Sequence, residues 1–404
     1  MRLLIPVFSP ASGTWGGITR VIAVAEAARR AGHEVALCAS GDLEPRLRQR
    51  GYTVYSNPAA TMFGLPAPIS RVIARRGENF ALPVQPGRSI GNIWFVFFVS
   101  GMARSGYLHA LVDAELQAVR AFKPDRLFTD LNPGAYLVAR ITGLPIAAAF
   151  QQVMTWGKGS WAWGQMHRAM MSVLNARGCP AADPDDLCFG PSVLKIIPSI
   201  PELDGADPAR RDVCYVGQLL GDIQPTGDLQ LEARRHVFVY VGTGSIGLTT
   251  LREVLPRVFP ESGERRCLVG APGIAQPERV SGVEFRPYVA VEDVLPRCDW
   301  TICHGGQNTI VQSLRQGVPL IIFPGPIFER RFNAQKVQEA GAGLMSEVTG
   351  FTIEWLTGAL QRQAEFVPRA AALGERIRSY GGAAAAVEAI ERHTAAAPSA
   401  QEGP

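Results

Sequence analysis

Short apolar runs alternate with longer stretches of helical period along almost the whole chain. Leu3–Phe8 is a continuous apolar run, and a glycine-rich turn leads from it into an amphipathic stretch over Thr19–Ala31. Gly32 stops that stretch, and Glu34–Ala39 supplies the next apolar run. A buried strand, a glycine turn, a helix and a second strand make a βαβ unit on a parallel sheet. The unit returns as a strand Arg126–Thr129, a helix near Gly134–Thr142 and a strand Ile146–Phe150. It restarts at His236–Val241, which runs through Gly242–Gly247 into a helix reaching Val254. Further strands are predicted at Arg266–Val269, Val283–Phe285, Trp300–Cys303 and Leu320–Phe323. The pattern predicts an α/β protein of two Rossmann-like domains facing each other across a cleft. Residues 1–203 form the first domain, 204–233 a linker rich in Asp, Gly, Arg and Pro, and 234–380 the second. Residues 381–404 are expected to be the end of a terminal helix and a loose tail. Ligands of such sheets lie beyond the carboxyl ends of the strands, so two facing domains imply two ligands in one crevice.

Composition narrows the classes. The 404 residues are 47% hydrophobic and 19% charged, which fits globular cores and not disorder or a coiled coil. Lys and Arg number 40 against 36 Asp and Glu, for a net charge of +4, and no basic tract marks a nucleic-acid groove. Lys is confined to Lys123, Lys158, Lys195 and Lys336. This scarcity beside abundant Arg reads as codon bias in a GC-rich genome. The 7 Cys are odd in number and scattered, as in a reducing compartment. Cys298, Cys303 and His304 are close in sequence, but no second C-x-x-C or carboxylate cluster completes a metal site, and none is expected. The N-terminal apolar run has no cleavage site behind it and reads as a first strand. Ile93–Val99, the most apolar stretch, falls well short of the ~20 residues a membrane helix needs. A cytoplasmic protein without integral membrane insertion is expected, and a homodimer is left open.

Two glycine turns compete for an anion. Gly242-x-Gly-x-x-Gly247 formally matches a dinucleotide fingerprint, but the next strand ends Val269-Gly270-Ala271-Pro272, where an acid should receive the ribose. NAD and FAD are therefore disfavoured, while Ser245 and Gly244 remain able to touch a phosphate. The second turn, His304-Gly-Gly-Gln-Asn-Thr309, lies between strand Trp300–Cys303 and a helix Ile310–Gln316. Glycines let backbone N–H groups close on an anion, and a helix N-terminus adds its positive dipole end. Asn308 and Thr309 are also N-cap types, so capping alone accounts for them equally well. An imidazole where an apolar strand emerges into the crevice favours holding a diphosphate.

His304-Gly-Gly-Gln-Asn-Thr-Ile-Val-Gln-Ser-Leu-Arg-Gln-Gly-Val-Pro319, then Pro324, Phe332-Asn-Ala-Gln-Lys-Val337 and Gly341-Ala-Gly343, resembles the donor-site signature of the family-1 glycosyltransferases. The flavour is that of the bacterial macrolide and antibiotic enzymes with the GT-B fold. The resemblance extends through Ala31-Gly-His-Glu-Val35, Pro124-Asp125 to Asp130, Gly143-Leu-Pro145, Ile197-Pro-Ser-Ile-Pro-Glu202, Tyr215-Val-Gly217 and Gly381-Gly382. It implies an inverting, metal-independent transfer from a nucleotide diphosphate sugar to an acceptor, with no cofactor beyond that co-substrate. The first domain would hold the acceptor and the second the nucleotide sugar. By the same resemblance His304, Gly305, Gly306, Asn308 and Thr309 hold the diphosphate, with Gly244 and Ser245 opposite. Arg286, Tyr288 and Val289 would hold the base. No Asp-x-Asp motif for a metal lies in or beside the two glycine turns.

Three positions depart from that family. The residue expected to take the acceptor's proton is Gly17, which cannot be a base; Asp130 is then the candidate, directly or through water. The alternative is that Asp130 caps the helix beginning near Asn132. The turn Gly16-Gly17-Ile-Thr-Arg20 looks more like the diphosphate-facing turn of retaining GT-B enzymes. The acid that usually holds the ribose is Gln312, which makes dTDP a plausible donor beside UDP. The pair that reads sugar hydroxyls is Glu329-Arg330, with Arg330 either facing an anionic or unusual sugar or turned outward. Residues 60–110 and 154–175 are rich in Trp, Phe and Met. Trp94, Phe95, Phe98, Trp156 and Trp161 are expected to line a pocket for a lipophilic acceptor such as a polyketide or aromatic natural product, whereas the 166–174 run reads as helix core. The alternatives are an inactive homologue that binds a nucleotide or a partner protein, a nucleotide-sugar epimerase, and transfer to an N- or C-acceptor that needs no strong base.

Overall fold

The computed structural model describes residues 1–8, 15–70, 72, 89–221, 235–241, 245–271 and 273–394. Gly244, Phe80 and the tail beyond residue 394 lie outside them. The N-terminal domain carries a sheet of strands β1 (Arg2–Pro6), β2 (Glu34–Ala39), β3 (Thr53–Ser56), β4 (Arg126–Thr129), β5 (Ile146–Ala149), β6 (Val193–Ile197) and β7 (Val213–Tyr215). Their order is β3-β2-β1-β4-β5-β6-β7, with every described pair parallel. The order reverses direction between β1 and β4, the switch point at which a doubly wound sheet opens a crevice.

The C-terminal domain repeats the plan with β8 (Arg235–Tyr240), β9 (Arg265–Gly270), β10 (Glu278–Val280), β11 (Val283–Arg286), β12 (Cys298–Cys303), β13 (Leu320–Ile322) and β14 (Gly343–Met345). The order is β10-β11-β9-β8-β12-β13-β14, and β10 runs antiparallel at its edge. Its switch point lies between β8 and β12, so the carboxyl ends of those strands, Tyr240 and Cys303, stand side by side. Strands such as Leu3–Ile5, Val237–Val239 and Leu320–Ile322 are buried on both faces, as expected when helices cover both sides of a parallel sheet.

Of the helices, α1 (Trp15–Arg30), α2 (Ile93–Val99), α3 (Ser105–Phe122), α4 (Pro133–Thr142) and α5 (Trp161–Asn175) belong to the N-terminal domain. The C-terminal domain contributes α6 (Leu248–Val258), α7 (Gln307–Arg315) and α8 (Phe328–Glu339) to the cleft side. Two expectations about domain limits change. The segment 204–233 read as a linker contains β7, a strand of the first sheet. The last helix, α9 (Gly382–Arg392), returns to the first domain: Ala386, Val387, Ala389 and Ile390 join Val21, Val24 and Ala28 of α1 in one core. The apolar positions of Gly382–Arg392 recur at helical spacing, and only the fold shows which domain they cover. As read from the sequence, Met166, Met170, Val173 and Leu174 of α5 are core. The 7 cysteines are unbridged, and among the described residues no helix is long and apolar enough to cross a membrane.

The domains meet at the carboxyl ends of both sheets. Ile90 donates its N–H to the Pro326 carbonyl at 2.6 Å, and Phe328 N–H donates to the Ile90 carbonyl at 3.3 Å. Trp156 packs edge-on against Phe332, with ring centroids 5.5 Å apart. Because Ile390 is 1% exposed, Ile390→Ala should destabilise the N-terminal domain by about 2–5 kcal/mol. A lower urea midpoint on the first of two unfolding transitions would register that loss; an unchanged midpoint would separate α9 from the N-terminal core.

Candidate functional site

The turn after β12 is fixed by close packing. Gly305 has φ +90°, and a Cβ there would lie 2.7 Å from the Arg330 carbonyl oxygen and 3.2 Å from the Ile322 side chain, so only glycine fits. Asn333 Nδ2 donates to the Gly305 carbonyl at 2.9 Å, and Gln151 Nε2 of the other domain donates to Asn333 Oδ1 at 3.1 Å. Helix α7 begins at Gln307, earlier than its apolar pattern suggests, with Gly306 as its N-cap. Glycine has no side chain to cap with. Asn308 and Thr309 therefore sit in the first turn and are not caps, and the opening N–H groups of the helix face the cleft.

His304 packs over that opening. Its Nδ1 lies 3.3 Å from the Tyr240 carbonyl; a carbonyl only accepts, so Nδ1 carries the proton and Nε2 of the neutral ring is bare. Nε2 is within 2.9 Å of where a Cβ on Gly306 would be. Burial first, and the Arg330 charge second, lower the imidazole from the usual 6.5 to about 3.

The opposing wall is Arg20, 8% exposed on the first turns of α1. Its Nε donates to Asp130 Oδ2 at 2.8 Å and its Nη2 to Asp130 Oδ1 at 3.3 Å. Nη1 reaches across the cleft to Gln307 Oε1 at 3.4 Å and Asn308 Oδ1 at 3.5 Å. Asn308 Nδ2 donates in turn to Thr19 Oγ1 at 3.2 Å. Gln307 is 6% exposed, and its Nε2 finds no hydrogen-bond partner among the described residues. Buried polar groups are normally satisfied. An amide donor without a partner among the described residues, a guanidinium within reach of the same side chain and a helix start that no side chain caps are groups that suit an anion.

Asp130 stands beside this site, bridged to Val7 at the end of β4. It does not cap α4; Asn132 does, accepting from Gly134 N–H at 2.8 Å. A Cβ on Gly17 would lie 3.3 Å from Asp130 Oδ2, so the glycine leaves the carboxylate its space. Both Asp130 oxygens accept from one guanidinium.

Glu329 and Arg330 open α8. Burial raises the Glu329 carboxyl, and Arg20 and Arg330 pull it back. Arg330 lies inward beside Glu329, Tyr240 and Cys303, so it does not turn outward to the surface. Gln312 donates Nε2 to Glu292 Oε1 at 2.7 Å, which places a carboxylate next to the position where the sequence has an amide. Tyr288 is 72% exposed and free to stack, whereas Val289 is buried. Arg286 is held by Glu284 at 2.5 Å. Ser245 is buried and donates to the Val241 carbonyl at 3.1 Å.

Of the aromatic residues expected to line a pocket, Trp94 is fully buried. It packs on Phe97 and Phe189 as core, because the inward face of α2 also has to cover the sheet. Phe95, Trp156 and Trp161 are exposed, and Phe98 stacks edge-on to Trp161 at 4.6 Å. Arg20, Gln307, Glu292, Asn333 and Gln151 were not singled out as site residues by the sequence. Arg20 alone gave a signal, as an unneutralised cation in a glycine-rich first turn. A further unanticipated group is the fully buried Glu115. It accepts from Asn57 Nδ2 at 2.9 Å and Asn132 Nδ2 at 2.8 Å, and burial pushes its carboxyl up to about 8.

Residues 274–378 match the Erythromycin biosynthesis protein CIII-like, C-terminal domain family. The glycosyltransferase of kitacinnamycin superposes with a TM-score of 0.72 at 18% identity, over 97% of this chain and 98% of that one. The glycosyltransferase VinC in complex with dTDP gives 0.68 at 19% identity, over 97% and 99%. The chain has the GT-B fold. In sequence, the NDP-glycosyltransferase YjiC of Bacillus subtilis (strain 168) is 25% identical over 187 residues, 44% of this chain and 47% of the relative. The chain thus spans about half the length of the curated relatives it matches. In this GT-B protein the EryCIII-like segment contains α7, α8 and the His304 turn, so the most specific motif of the sequence and the anion cradle coincide.

A His whose folded value is lowered takes up its proton first in the unfolded state, so stability falls as pH drops from 6.5 towards about 3. His304→Gln should remove that part of the acid sensitivity. Urea denaturation at pH 7 and pH 5 checks it: the stability gap between variant and wild type should move in favour of the variant at pH 5. A gap that stays constant would mean that His304 is not buried in its neutral form.

Proposed function

We propose that the chain is a glycosyltransferase that moves a sugar from a nucleotide diphosphate sugar, dTDP- or UDP-linked, to a lipophilic small-molecule acceptor. What supports the donor side is that Gln307, whose Nε2 has no partner among the described residues, sits within 3.4 Å of Arg20 Nη1 at the start of α7, which no side chain caps. A departing nucleoside diphosphate accumulates negative charge, and preorganised dipoles in a water-poor cleft stabilise it as it forms. His304 closes the cradle from the β12 side, with its Nδ1 held by the Tyr240 carbonyl and its Nε2 beside Gly306.

On the base side, Tyr288 offers a stacking face and the Glu292–Gln312 pair offers an acceptor for ribose hydroxyls. Glu329 and Arg330 face the sugar. On the acceptor side, the exposed rings of Phe95, Trp156 and Trp161 supply apolar, rigid contact area, as a polyketide or other aromatic acceptor needs. Inversion follows if the acceptor attacks the anomeric carbon from the face opposite the leaving diphosphate.

Gly17 favours a particular acceptor chemistry. With no side chain at that position and Asp130 occupied by Arg20, proton removal falls to a weak base. An acidic phenol, an amine or an activated carbon meets that limit. No metal or resident cofactor is part of this reading.

Calorimetric titration of dTDP and UDP should show binding of at least one, weakened tenfold or more by His304→Ala, a loss typical of one charge-assisted hydrogen bond. Turnover of the matching nucleotide sugar should then be found with aromatic acceptors. Turnover with only sugar or peptide acceptors would sink the lipophilic pocket, and failure to bind any nucleoside diphosphate would leave the inactive-homologue reading.

A further inference from the structure

We infer that Arg20 and Gln307 clamp the diphosphate from opposite domains, and that Asp130 is the positioning residue that aims Arg20 instead of the base for the acceptor. This rests on the donor reading above and assigns its charge recognition to one side chain from each domain, Arg20 and Gln307.

The geometry divides the guanidinium into two halves. One edge, Nε and Nη2, is used up by the two oxygens of Asp130. Among the described residues the other corner, Nη1, has two long contacts, to side-chain amide oxygens of Gln307 and Asn308 at 3.4 and 3.5 Å. Bonds near 2.8–2.9 Å are usual for a cation to a strong acceptor, so this corner is underused. It is aimed at the start of α7. Asp130 fixes the aim: with both carboxylate oxygens engaged, the side chain keeps one rotamer and points its remaining donors at the cleft. Burial opposes the charge on Arg20, and Asp130 more than restores it, so the cation is kept in a place water does not reach.

Gln307 faces it from the other domain. Its Oε1 accepts from Nη1 at the first residue of α7, and its Nε2 lacks a partner among the described residues. A phosphate oxygen at that point would accept from Gln307 Nε2 and Arg20 Nη1 together with the opening N–H groups of α7. Ordinary sugars and neutral acceptors offer no equivalent charge, so the clamp selects the diphosphate of the donor. It also ties donor occupancy to closure of the cleft, because the two side chains come from different sheets.

Calorimetry on Arg20→Met, Gln307→Leu and Asp130→Asn, with dTDP, UDP and the parent nucleosides as ligands, tests this. Arg20→Met should weaken the diphosphate tenfold or more, and Gln307→Leu severalfold, while nucleoside binding stays unchanged. Asp130→Asn should weaken the diphosphate severalfold and raise the donor KM more than it lowers kcat. Since Arg20→Met leaves the Asp130 charge buried and unpaired, Arg20→Met/Asp130→Asn serves as the variant expected to fold, with the same loss of diphosphate affinity. Arg20→Lys should restore part of it.

Three results would overturn the inference. Equal diphosphate affinity in wild type and the folded Arg20 variants removes the clamp but leaves the donor site standing. Asp130→Asn with unaltered diphosphate affinity, an abolished kcat and loss of the acid limb of the pH profile makes Asp130 the base. Wild type binding neither nucleoside diphosphate overturns the donor reading, and the clamp with it.

Discussion

The ion pair of Arg20 and Asp130 is a buried charge pair at the seam of two domains, and much of the cleft is arranged to tolerate it. A guanidinium and a carboxylate out of water cost several kcal/mol each unless their geometry is good and their remaining donors are used. Here the carboxylate is satisfied by two hydrogen bonds, and Gly17 makes room for it. The guanidinium is left with donors to spare, and they face the one element of the opposite domain that also presents donors, the start of α7. A surface rich in donors and poor in acceptors is unstable in isolation and stable around an anion. That imbalance is the physical content of the site.

The two sheets reach this point by the same route. In each, the order of strands reverses next to the first strand of the domain, so the carboxyl ends of β1 and β4, and of β8 and β12, lie side by side. Packing closes the turns from behind. Asn333 holds the Gly305 carbonyl, Gln151 holds Asn333 from across the cleft, and Phe332 of the same helix meets Trp156. One face of α8 therefore sets the conformation of the glycine turn and the approach of the two domains together. A substitution there would be felt at the anion cradle without touching it.

The proton inventory of the cleft is unusual for a site meant to deprotonate an acceptor. His304 is held neutral by burial and a neighbouring cation, Glu329 is pushed upward by burial, and Asp130 is engaged by Arg20. Burial is the largest cause of the shift at both His304 and Glu329, so the cleft disfavours charge on either side chain.

The alternation of apolar runs with helical stretches was enough to place nearly all the site-forming strands, because a strand buried on both faces must be apolar throughout. The His304–Thr309 turn could be read for the same kind of local reason: glycines without Cβ, between a strand and a helix, serve few purposes. The partners were not legible. Arg20 and Gln307 lie 287 positions apart, and nothing local in either segment marks the other. Trp94 and Trp161 look alike in sequence, yet one is core and the other exposed, since only the packing of α2 against the sheet decides which face is covered. The return of α9 to the first domain and the recruitment of β7 from a segment composed like a linker have the same origin. Local chemistry determines which elements form and which turns can hold an anion. Which charges face one another across a cleft depends on long-range packing, and the tertiary structure alone settles it.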